Sequence, residues 1–242
     1  MSLQRDLGDA RASVDRVVLE GIHTLKHAVR FGGEIERIIT PDPGAVASLL
    51  AALAPDVVLP VAVEVVDPGE WERLHRGRLP APVLAIARRP AHRTDEVLGR
   101  TGDAPVVLLD APTHLGNVGA VIRVAAAAGA DAVIVRGDAD PWHPTALRGG
   151  AGLQFALPVG RVDALPDSPR PLVAVHPEGR SLYAAPLLRG ALLAFGTERH
   201  GLAADLLDRA VERVAIPMRP GVSSLNLATA VAVTLYARRG AG

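Results

Sequence analysis

The stretch spanning residues 194–235 constrains the fold of this chain more than any other. Two apolar runs, residues 191–195 and 214–216, stop at Gly196 and Pro217, and a loop and a helix-like stretch follow each of them. This order predicts a strand, a loop and a helix, twice over. In open α/β sheets such loops lie at the carboxyl ends of the strands, where ligands bind. The sequence therefore predicts a binding site formed by these two loops.

A third phrase, THLGNVGAVIRVAAAAGA at residues 113–130, lies between two more strand-like runs. VVLLD precedes it and DAVIVRG follows it, and Gly129 is a typical residue for the end of a helix. A strand, a helix and a strand in this order form a β-α-β unit, whose strands are parallel. The apolar runs further along the chain bring the prediction to about five parallel strands.

Composition excludes several classes of function. The 242 residues are 49% hydrophobic, which is enough for a sizeable core in one large domain or two small ones. With no cysteine there is no disulfide, thiolate nucleophile or cysteine-ligated zinc, and the eight histidines lack HExxH-like spacing, so no metal is expected. The formal net charge of zero argues against a general polyanion binder, although it leaves local basic patches open.

The sequence also predicts a cytoplasmic protein. No apolar run approaches the roughly 20 residues that are needed to cross a bilayer. The N-terminal MSLQRDLGDARASVD lacks the apolar segment of a signal peptide. A membrane partner is therefore not expected.

The N-terminal part of the chain predicts a small α/β domain over residues 1–92. Strand-like runs such as VVLEG, EIERIIT and PVLAIAR alternate with helix-like runs such as IHTLKHAVRF and GAVASLLAAL. Residues 93–104 are polar and lack strong periodicity, which predicts a linker. The second domain then spans residues 105–242.

A basic surface with one aromatic ring is predicted near the end of the first domain. The residues that would form it are Arg73, His75, Arg76 and Arg78 beside Trp71, followed by Arg88, Arg89, His92 and Arg93. Such a surface can hold an RNA backbone and stack a base. A solvated arginine-rich face is the alternative, and the sequence leaves both open.

Taken in order, the three glycine-containing phrases resemble the three motifs of the SpoU/TrmH family of RNA ribose 2′-O-methyltransferases, in the SPOUT superfamily. Asn117, Gly119 and Arg123 match the first motif, Gly196, Glu198 and Gly201 the second, and Pro217, Ser224, Leu225 and Asn226 the third. The resemblance covers about residues 104–238 closely. In the first domain the phrase EGIHTLKHAV resembles the substrate-binding domain that many such enzymes carry.

The resemblance implies an α/β fold in which a parallel-sheet SPOUT domain with a deep trefoil knot follows a smaller α/β substrate-binding domain. It implies S-adenosyl-L-methionine as cofactor, RNA as substrate and a homodimer. Ribosomal RNA is the favoured substrate, because the separate first domain resembles those of rRNA-modifying relatives, and transfer RNA stays open. The last helix, LNLATAVAVTLYARR, is apolar almost all round, which predicts burial on more than one side.

The site residues follow from the resemblance, position by position. Those implied to be catalytic are Asn117, Arg123, Glu198, Ser224 and Asn226. Those implied to bind the cofactor are Gly196, Ile216, Met218 and Leu225. Those implied to bind RNA are Arg123 and Arg148.

Arg123 is the residue that packing explains least, since its helix otherwise shows Val, Ile and Ala. In the family this arginine is taken to activate the 2′-hydroxyl. A guanidinium, however, stays protonated in proteins, so Arg123 either acts as a base with the help of the substrate phosphate or only positions it. Arg148 contacts RNA by resemblance, and a plain loop cation is its alternative.

The other four polar positions each have a structural alternative. Asn117 is predicted just before its helix, where it could cap the first turn. Ser224 and Asn226 could cap the last helix in the same way. Glu198 could orient Arg123 or a ligand, or it could be an acid that favours a nearby helix start.

Two positions depart from the family pattern, and two other functions compete. Val124 and Gly150 stand where the family usually has hydroxyl residues, which puts fine contacts in doubt. A silent, knotted RNA-binding protein is one alternative function. A dinucleotide-binding oxidoreductase is the other, and it fails because Gly116 and Gly119 are spaced GxxG rather than GxGxxG.

Overall fold

A computed structural model describes residues 2–75, 77, 79, 81–91, 94–197 and 200–239. The chain divides into two compact units. The first comprises Met1–Ala91 and Ala151–Ala156, and the second comprises His92–Gly150 and Leu157–Gly242. Both units combine helices with a sheet, so the predicted α/β class is confirmed.

The first unit is built on a mixed sheet, which has four strands within the described residues, in the order β1-β4-β2-β3. Its strands are β1 (Arg16–Glu20), β2 (Ile35–Thr40), β3 (Val63–Val65) and β4 (Leu84–Arg88). Its helices are α1 (Leu3–Ala12), α2 (Ile22–Arg30), α3 (Pro43–Leu53) and α4 (Pro68–Leu74). Strand β4 is antiparallel to β1 and β2, and β3 is parallel to β2.

A buried carboxylate fixes α1 to this sheet. Asp6 of α1 is 5% exposed and accepts hydrogen bonds from Arg16 of β1 at 2.7 Å and from Arg37 of β2 at 2.8 Å. Burial alone would raise the pKa of Asp6, but the two guanidinium groups hold that pKa below its ordinary value.

A short segment from later in the sequence completes the first unit. Residues 151–156 contain a 3₁₀ turn, Leu153–Phe155, and lie against α2. His27 donates from Nδ1 to the carbonyl of Ala151 at 2.7 Å. Sequence reasoning did not predict this segment in the first unit, because it lies inside a loop of the second one.

The second unit is built on a parallel sheet, which has six strands in the described part of the chain, in the order β10-β8-β9-β5-β6-β7. Its strands are β5 (Val106–Asp110), β6 (Ala132–Arg136), β7 (Val159–Val162), β8 (Leu172–Ser181), β9 (Leu192–Phe195) and β10 (Glu212–Ala215). The prediction of about five strands missed β7, an edge strand whose short run, VGRV, is only partly apolar. All residues of β5 and β9 are buried, as expected for parallel strands covered on both faces.

The second unit has five helices within the described ranges. They are α5 (Thr94–Gly99), α6 (Leu115–Ala127), α7 (Pro144–Gly150), α8 (Ala204–Arg209) and α9 (Leu227–Arg239). Helix α5 falls in residues 93–104, which were predicted to be a linker. Its Val97 and Leu98 are buried in the core of the second unit, so two apolar residues were enough to turn a polar segment into part of the domain.

Helix α9 packs against α6 and is buried on one side only in the single chain. Leu227, Val231 and Leu235 form the buried side, whereas Thr229 is exposed and Tyr236 is 51% exposed. Burial on a second side, which a subunit interface would supply, stays a prediction. Within the described ranges, every helix is too short or too polar to span a bilayer.

Helices α6 and α7 cross at a contact made by glycines. A Cβ built on Gly119 would lie 2.2 Å from the carbonyl oxygen of Ala146 and 2.7 Å from the nitrogen of Gly150. A Cβ on Gly149 would lie 2.9 Å from the carbonyl oxygen of Gly116. The GxxG spacing therefore serves close packing between two helices, since no side chain fits between the backbones.

We expect Gly119→Ala to lower the free energy of unfolding by about 1–3 kcal/mol, because the added methyl group overlaps the backbone of α7. Gly116→Ala is the matched control, since nothing lies within 4 Å of its added Cβ. That control should be neutral or stabilising by up to about 1 kcal/mol, because alanine is the better helix former. Urea unfolding followed by circular dichroism measures both, and equal stabilities would contradict the close crossing.

Candidate functional site

The main cavity of the candidate site lies at the carboxyl ends of the parallel strands β9 and β10 and beside the middle of β8, which lies between them in the sheet. It has a volume of about 290 Å³ and is bounded by Val175 at the middle of β8, by Phe195 at the end of β9 and by residues that follow β10. The four residues predicted to bind the cofactor all line it, together with Ser224: they are Gly196, Ile216, Met218 and Leu225. The structure thus brings the second and third sequence phrases together around one cavity.

An irregular segment of β8 forms one wall of this cavity. Arg213 of β10 pairs with Ala174, but the next residue, Val214, pairs with Arg180, so residues 175–179 have no partner in β10. His176 and Pro177 of this segment line the cavity. Sequence reasoning missed both; a His-Pro pair directly after the apolar run LVAV was the available signal.

The loop after β9 forms a second wall and closes tightly on itself. Two backbone hydrogen bonds join Thr197 and Gly201, at 2.9 and 3.1 Å. A Cβ on Gly196 would lie 2.0 Å from the carbonyl carbon of Gly201, so only glycine fits there. Glu198, predicted to be catalytic, lies outside the described residues.

A hydrogen bond joins the first and third phrases. Asn226 donates from Nδ2 to Oδ1 of Asn117 at 3.1 Å. The Oδ1 of Asn226 accepts from the backbone nitrogen of Ala228 at 2.9 Å, so Asn226 also caps the start of α9, the structural alternative given for it above. Two of the predicted catalytic residues are therefore in direct contact, although they are 109 positions apart.

Asn117 itself does not precede its helix. Helix α6 begins at Leu115, with His114 before it, so Asn117 is the third helical residue and not the cap. The prediction placed the helix start at Val118, since the glycine in LGN looked like part of a loop. As a result, Asn117 directs its amide oxygen to the start of α9 instead of capping its own first turn.

Arg123 and Arg148 are exposed cations on two helices that touch. Arg123 lies on α6 one turn beyond Gly119, and Arg148 lies in the last turn of α7, next to Gly149. Gly119 and Gly149 are in contact where the helices cross. No hydrogen bond or ion pair joins Arg123 to another residue in the described ranges. Its guanidinium is thus open to solvent and to an anionic ligand.

A second, much smaller cavity adjoins the main one. It has a volume of about 10 Å³ and is lined by Pro112, Thr113, His114, Asn117, Thr197 and Leu227. Thr197 and Leu227 also line the main cavity. The two cavities therefore share a wall, and the contact between Asn117 and Asn226 lies beside it.

An ion network centred on a buried carboxylate, Asp110, supports the loop of the second phrase. Asp110, at the end of β5, is 4% exposed; its Oδ2 accepts from the backbone nitrogen of Ala203 at 2.8 Å and its Oδ1 accepts from Nε of Arg136 at 2.8 Å. Arg136 also forms a bidentate salt bridge with Asp205 of α8, with N–O distances of 2.5 and 3.1 Å. Hydrogen bonds from Arg136 hold the pKa of Asp205 below its ordinary value. Sequence reasoning missed Asp110, whose signal was a charged residue ending an apolar strand.

The predicted basic surface of the first unit differs from the expectation in one respect. Trp71 is 7% exposed and packs in the core of that unit, with its ring stacked on His75 at 5.1 Å between centroids. It cannot stack a base, because its helix turns the ring inward. Arg73 is exposed, and Arg88 pairs with Glu34 at 3.0 Å. Arg76, Arg78, His92 and Arg93 lie outside the described residues.

Metal ligands do not gather anywhere in the part of the chain that the structure describes. There, no group of three or more His, Cys, Asp or Glu side chains could hold a metal ion. The main cavity offers backbone groups, hydroxyls, apolar side chains and a single imidazole, that of His176, a donor set that fits an organic ligand better than a cation.

We expect Asp110→Asn to lower the free energy of unfolding by about 1–3 kcal/mol, because an amide NH₂ would face one of two buried donors. Asp205→Asn is the matched control: it removes the other carboxylate of Arg136, but that carboxylate is 55% exposed. It should cost less than about 1 kcal/mol. Chemical denaturation measures both, and hydrogen exchange at the Ala203 amide should quicken in Asp110→Asn alone. Equal behaviour of the two variants would rule out a special role for Asp110.

Several known proteins are similar to this chain in sequence. Residues 104–236 match the model of the SpoU rRNA Methylase family. The chain is 32% identical to the 23S rRNA (adenosine(1067)-2′-O)-methyltransferase of Streptomyces azureus over 244 residues, which cover 95% of this chain and 88% of that protein. It is 36% identical to an uncharacterized tRNA/rRNA methyltransferase of Synechocystis sp. over 133 residues; this match covers 51% of the chain and spans only 48% of that relative.

The fold has a close counterpart among solved structures. The SpoU methyltransferase AviRb from Streptomyces viridochromogenes, solved in complex with the cofactor AdoMet, aligns with a TM-score of 0.80 and 26% identity, over 99% of this chain and 98% of that one. The family match covers more than half of the 242 residues and includes all three sequence phrases. The chain therefore belongs to the SpoU rRNA methylase family.

Proposed function

We propose that this protein transfers a methyl group from S-adenosyl-L-methionine to a ribose 2′-hydroxyl in RNA, with ribosomal RNA as its substrate. The observation that carries the proposal is the convergence of the three phrases. Gly196, Ile216 and Leu225 line one cavity, and beside it the amides of Asn117 and Asn226 are hydrogen-bonded. Packing alone could explain any single one of these residues. It does not readily explain why three phrases that are far apart in the sequence meet at one site.

The main cavity suits the cofactor. None of its described lining residues is Asp, Glu, Lys or Arg, and its volume of about 290 Å³ is near the lower end of the range of small-molecule pockets, about 300–1,000 Å³. Backbone groups at Gly196, Ile216 and Leu225 would hold the adenine, and Met218 would cover it. When bound, the cofactor supplies a methyl group that is already activated by the positive charge on sulfur.

The two exposed arginines would hold the RNA. Arg123 and Arg148 lie on touching helices, and a guanidinium binds phosphate oxygens in pairs. Contacts to phosphate position a nucleic acid without reading its sequence. Arg123 thus sets the ribose against the cavity and balances the charge of the backbone.

The remaining predicted catalytic residues would orient the reacting groups. The amide pair of Asn117 and Asn226 fixes the start of α9, and Ser224, two residues earlier, lines the cavity. Glu198 would orient Arg123 or the ligand. Because the methyl donor is already activated, alignment of hydroxyl and methyl supplies much of the rate enhancement.

Ribosomal RNA is the proposed substrate because of the relative from Streptomyces azureus. Its name gives 23S rRNA as the substrate, and the alignment covers 95% of this chain, including the first unit. We assign residues 1–92 the task of binding RNA, with Arg73 as one exposed contact. Because a protein that modifies ribosomal RNA must reach that RNA, we also propose a cytoplasmic location.

We also propose a homodimer and a trefoil knot, both from family resemblance. The exposed side of α9, with Thr229 and Tyr236, supports the dimer, because an apolar helix of this kind gains stability when a partner covers it. The knot would be formed by the segment that contains α9 and the loop before it.

The function is tested by combining a binding and a mapping experiment. Isothermal titration with S-adenosyl-L-methionine should give micromolar affinity, and mapping of 2′-O-methyl groups in total RNA should show one site that is lost when the gene is deleted. If the lost methylation site lies in transfer RNA, transfer RNA is the substrate instead of ribosomal RNA. Absence of cofactor binding would indicate instead a silent RNA-binding protein, and sedimentation of the same sample should give the mass of two chains.

We expect Arg123→Ala to reduce methyl incorporation by at least about 10²–10³-fold, the usual cost of removing a group that stabilises charge at a reacting centre. Affinity for the cofactor should stay within a few-fold, because Arg123 does not line the main cavity. Single-turnover incorporation and calorimetry measure the two quantities. Undiminished turnover would refute the role assigned to Arg123.

Arg148→Ala is the companion variant, since it removes an exposed arginine from the neighbouring helix. It should mainly weaken RNA binding and lower the salt dependence of that binding by about one phosphate contact. Its turnover at saturating RNA should remain close to that of the unchanged protein. Identical effects of the two variants would show that Arg123 only binds RNA.

A further inference from the structure

The reaction leaves one proton without a described acceptor. The ribose 2′-hydroxyl must lose its proton as its oxygen gains the methyl group. Arg123 is a guanidinium, which stays protonated in proteins and is therefore a poor base. Among the described residues that line either cavity, the side chains that can take up a proton near neutral pH are His114 and His176.

The smaller cavity has the size and position expected for the acceptor hydroxyl. The reacting hydroxyl must lie beside the methyl group and hence beside the main cavity. The smaller cavity shares Thr197 and Leu227 with the main one. Its volume of about 10 Å³ corresponds to about one water-sized group.

His114 lies in the wall of this smaller cavity, and its backbone is held in place. Its carbonyl oxygen accepts from the backbone nitrogens of Asn117 at 2.9 Å and Val118 at 3.2 Å, which fixes the residue at the start of α6. The side chain is exposed, and neither ring nitrogen has a hydrogen-bond partner in the described part of the chain. A neutral imidazole there offers an unused lone pair beside the cavity.

His176 is less suited to the same task. Its Nδ1 accepts a hydrogen bond from the backbone nitrogen of Glu178 at 3.2 Å, so the lone pair of the neutral ring is already in use. The other residues that line the smaller cavity with His114 are uncharged. Two further titratable groups belong to the neighbouring loop, Glu198, which lies outside the described residues, and His200, which is exposed.

We propose that His114 is the general base that removes the proton of the ribose 2′-hydroxyl, with the hydroxyl seated in the small cavity between His114, Asn117 and Thr197. This rests on the proposed function. The oxygen forms its bond to the methyl carbon while the bond from carbon to sulfur breaks, and that electron pair stays on sulfur. The proton passes to the imidazole and then to water, since His114 is exposed. Arg123 keeps its proton and binds phosphate.

The test is the pH dependence of single-turnover methylation, using the full chain and deproteinised rRNA from cells that lack the gene. The rate should rise with pH somewhere between about 5 and 8, where a histidine changes charge, and then level off. In His114→Ala the rate should fall by about 10²–10⁴-fold and this rise should disappear. Added imidazole should restore part of the rate, which a merely structural role for His114 would not produce.

His143→Asn is the control. His143 is another exposed histidine of the second unit, and its Nδ1 caps α7 by accepting from Thr145, a contact that asparagine can keep. That variant should retain both the rate and the pH-dependent rise. Calorimetry should show cofactor affinity within a few-fold in both variants, so that loss of folding is excluded.

Three outcomes would overturn the assignment. The rise with pH could persist in His114→Ala, the rate could be unchanged, or the rise could lie near pH 4–5, where carboxylates ordinarily titrate. If the unchanged protein bound cofactor but methylated no RNA, the proposed function would fail as well. If the unchanged protein is active and the pH profile of His114→Ala is the same as its own, only the role of His114 as general base is refuted, and the proposed function stands.

Discussion

The hydrogen bond between Asn226 and Asn117 is the interaction on which the site depends. The backbone N–H of Ala228 needs an acceptor, so the oxygen of the Asn226 amide faces α9 and its nitrogen must face Asn117. One amide thus begins a helix and ties two distant segments together. Aspartate would keep the cap but lose the donor, which is why asparagine is the residue that satisfies both sides.

Much of the architecture follows from local patterns. The alternation of apolar runs with helix-like stretches predicted the strands of both units except β7. In the second unit the signal is strong because parallel strands that are buried on both faces, such as β5 and β9, need continuous apolar residues. The pocket residues Gly196, Ile216 and Leu225 came from the resemblance, and the structure brings them to one cavity. Gly196 also has a physical signature, since a glycine that ends an apolar run marks a place where two backbones meet.

What sequence reasoning missed depends on contacts between distant segments. Asp110 looked like the last residue of a strand, and only the folded chain shows the backbone of Ala203 above it. Trp71 looked like a surface ring among arginines, yet its helix turns it into the core. The register shift in β8 could not be read from one strand, because it is a property of two strands together.

The strand order has a consequence for how the chain is made. Strand β5 lies between β6, which follows it closely, and β9, which ends only at Phe195. While the ribosome is still extending the chain, one edge of β5 therefore stays bare for about 80 residues of synthesis, a time when exposed edges invite association with other chains. Folding of the first unit is also incomplete until residues 151–156 have been synthesised, since they belong to it. Nascent protein of this architecture is thus most in need of chaperones before its last fifth emerges.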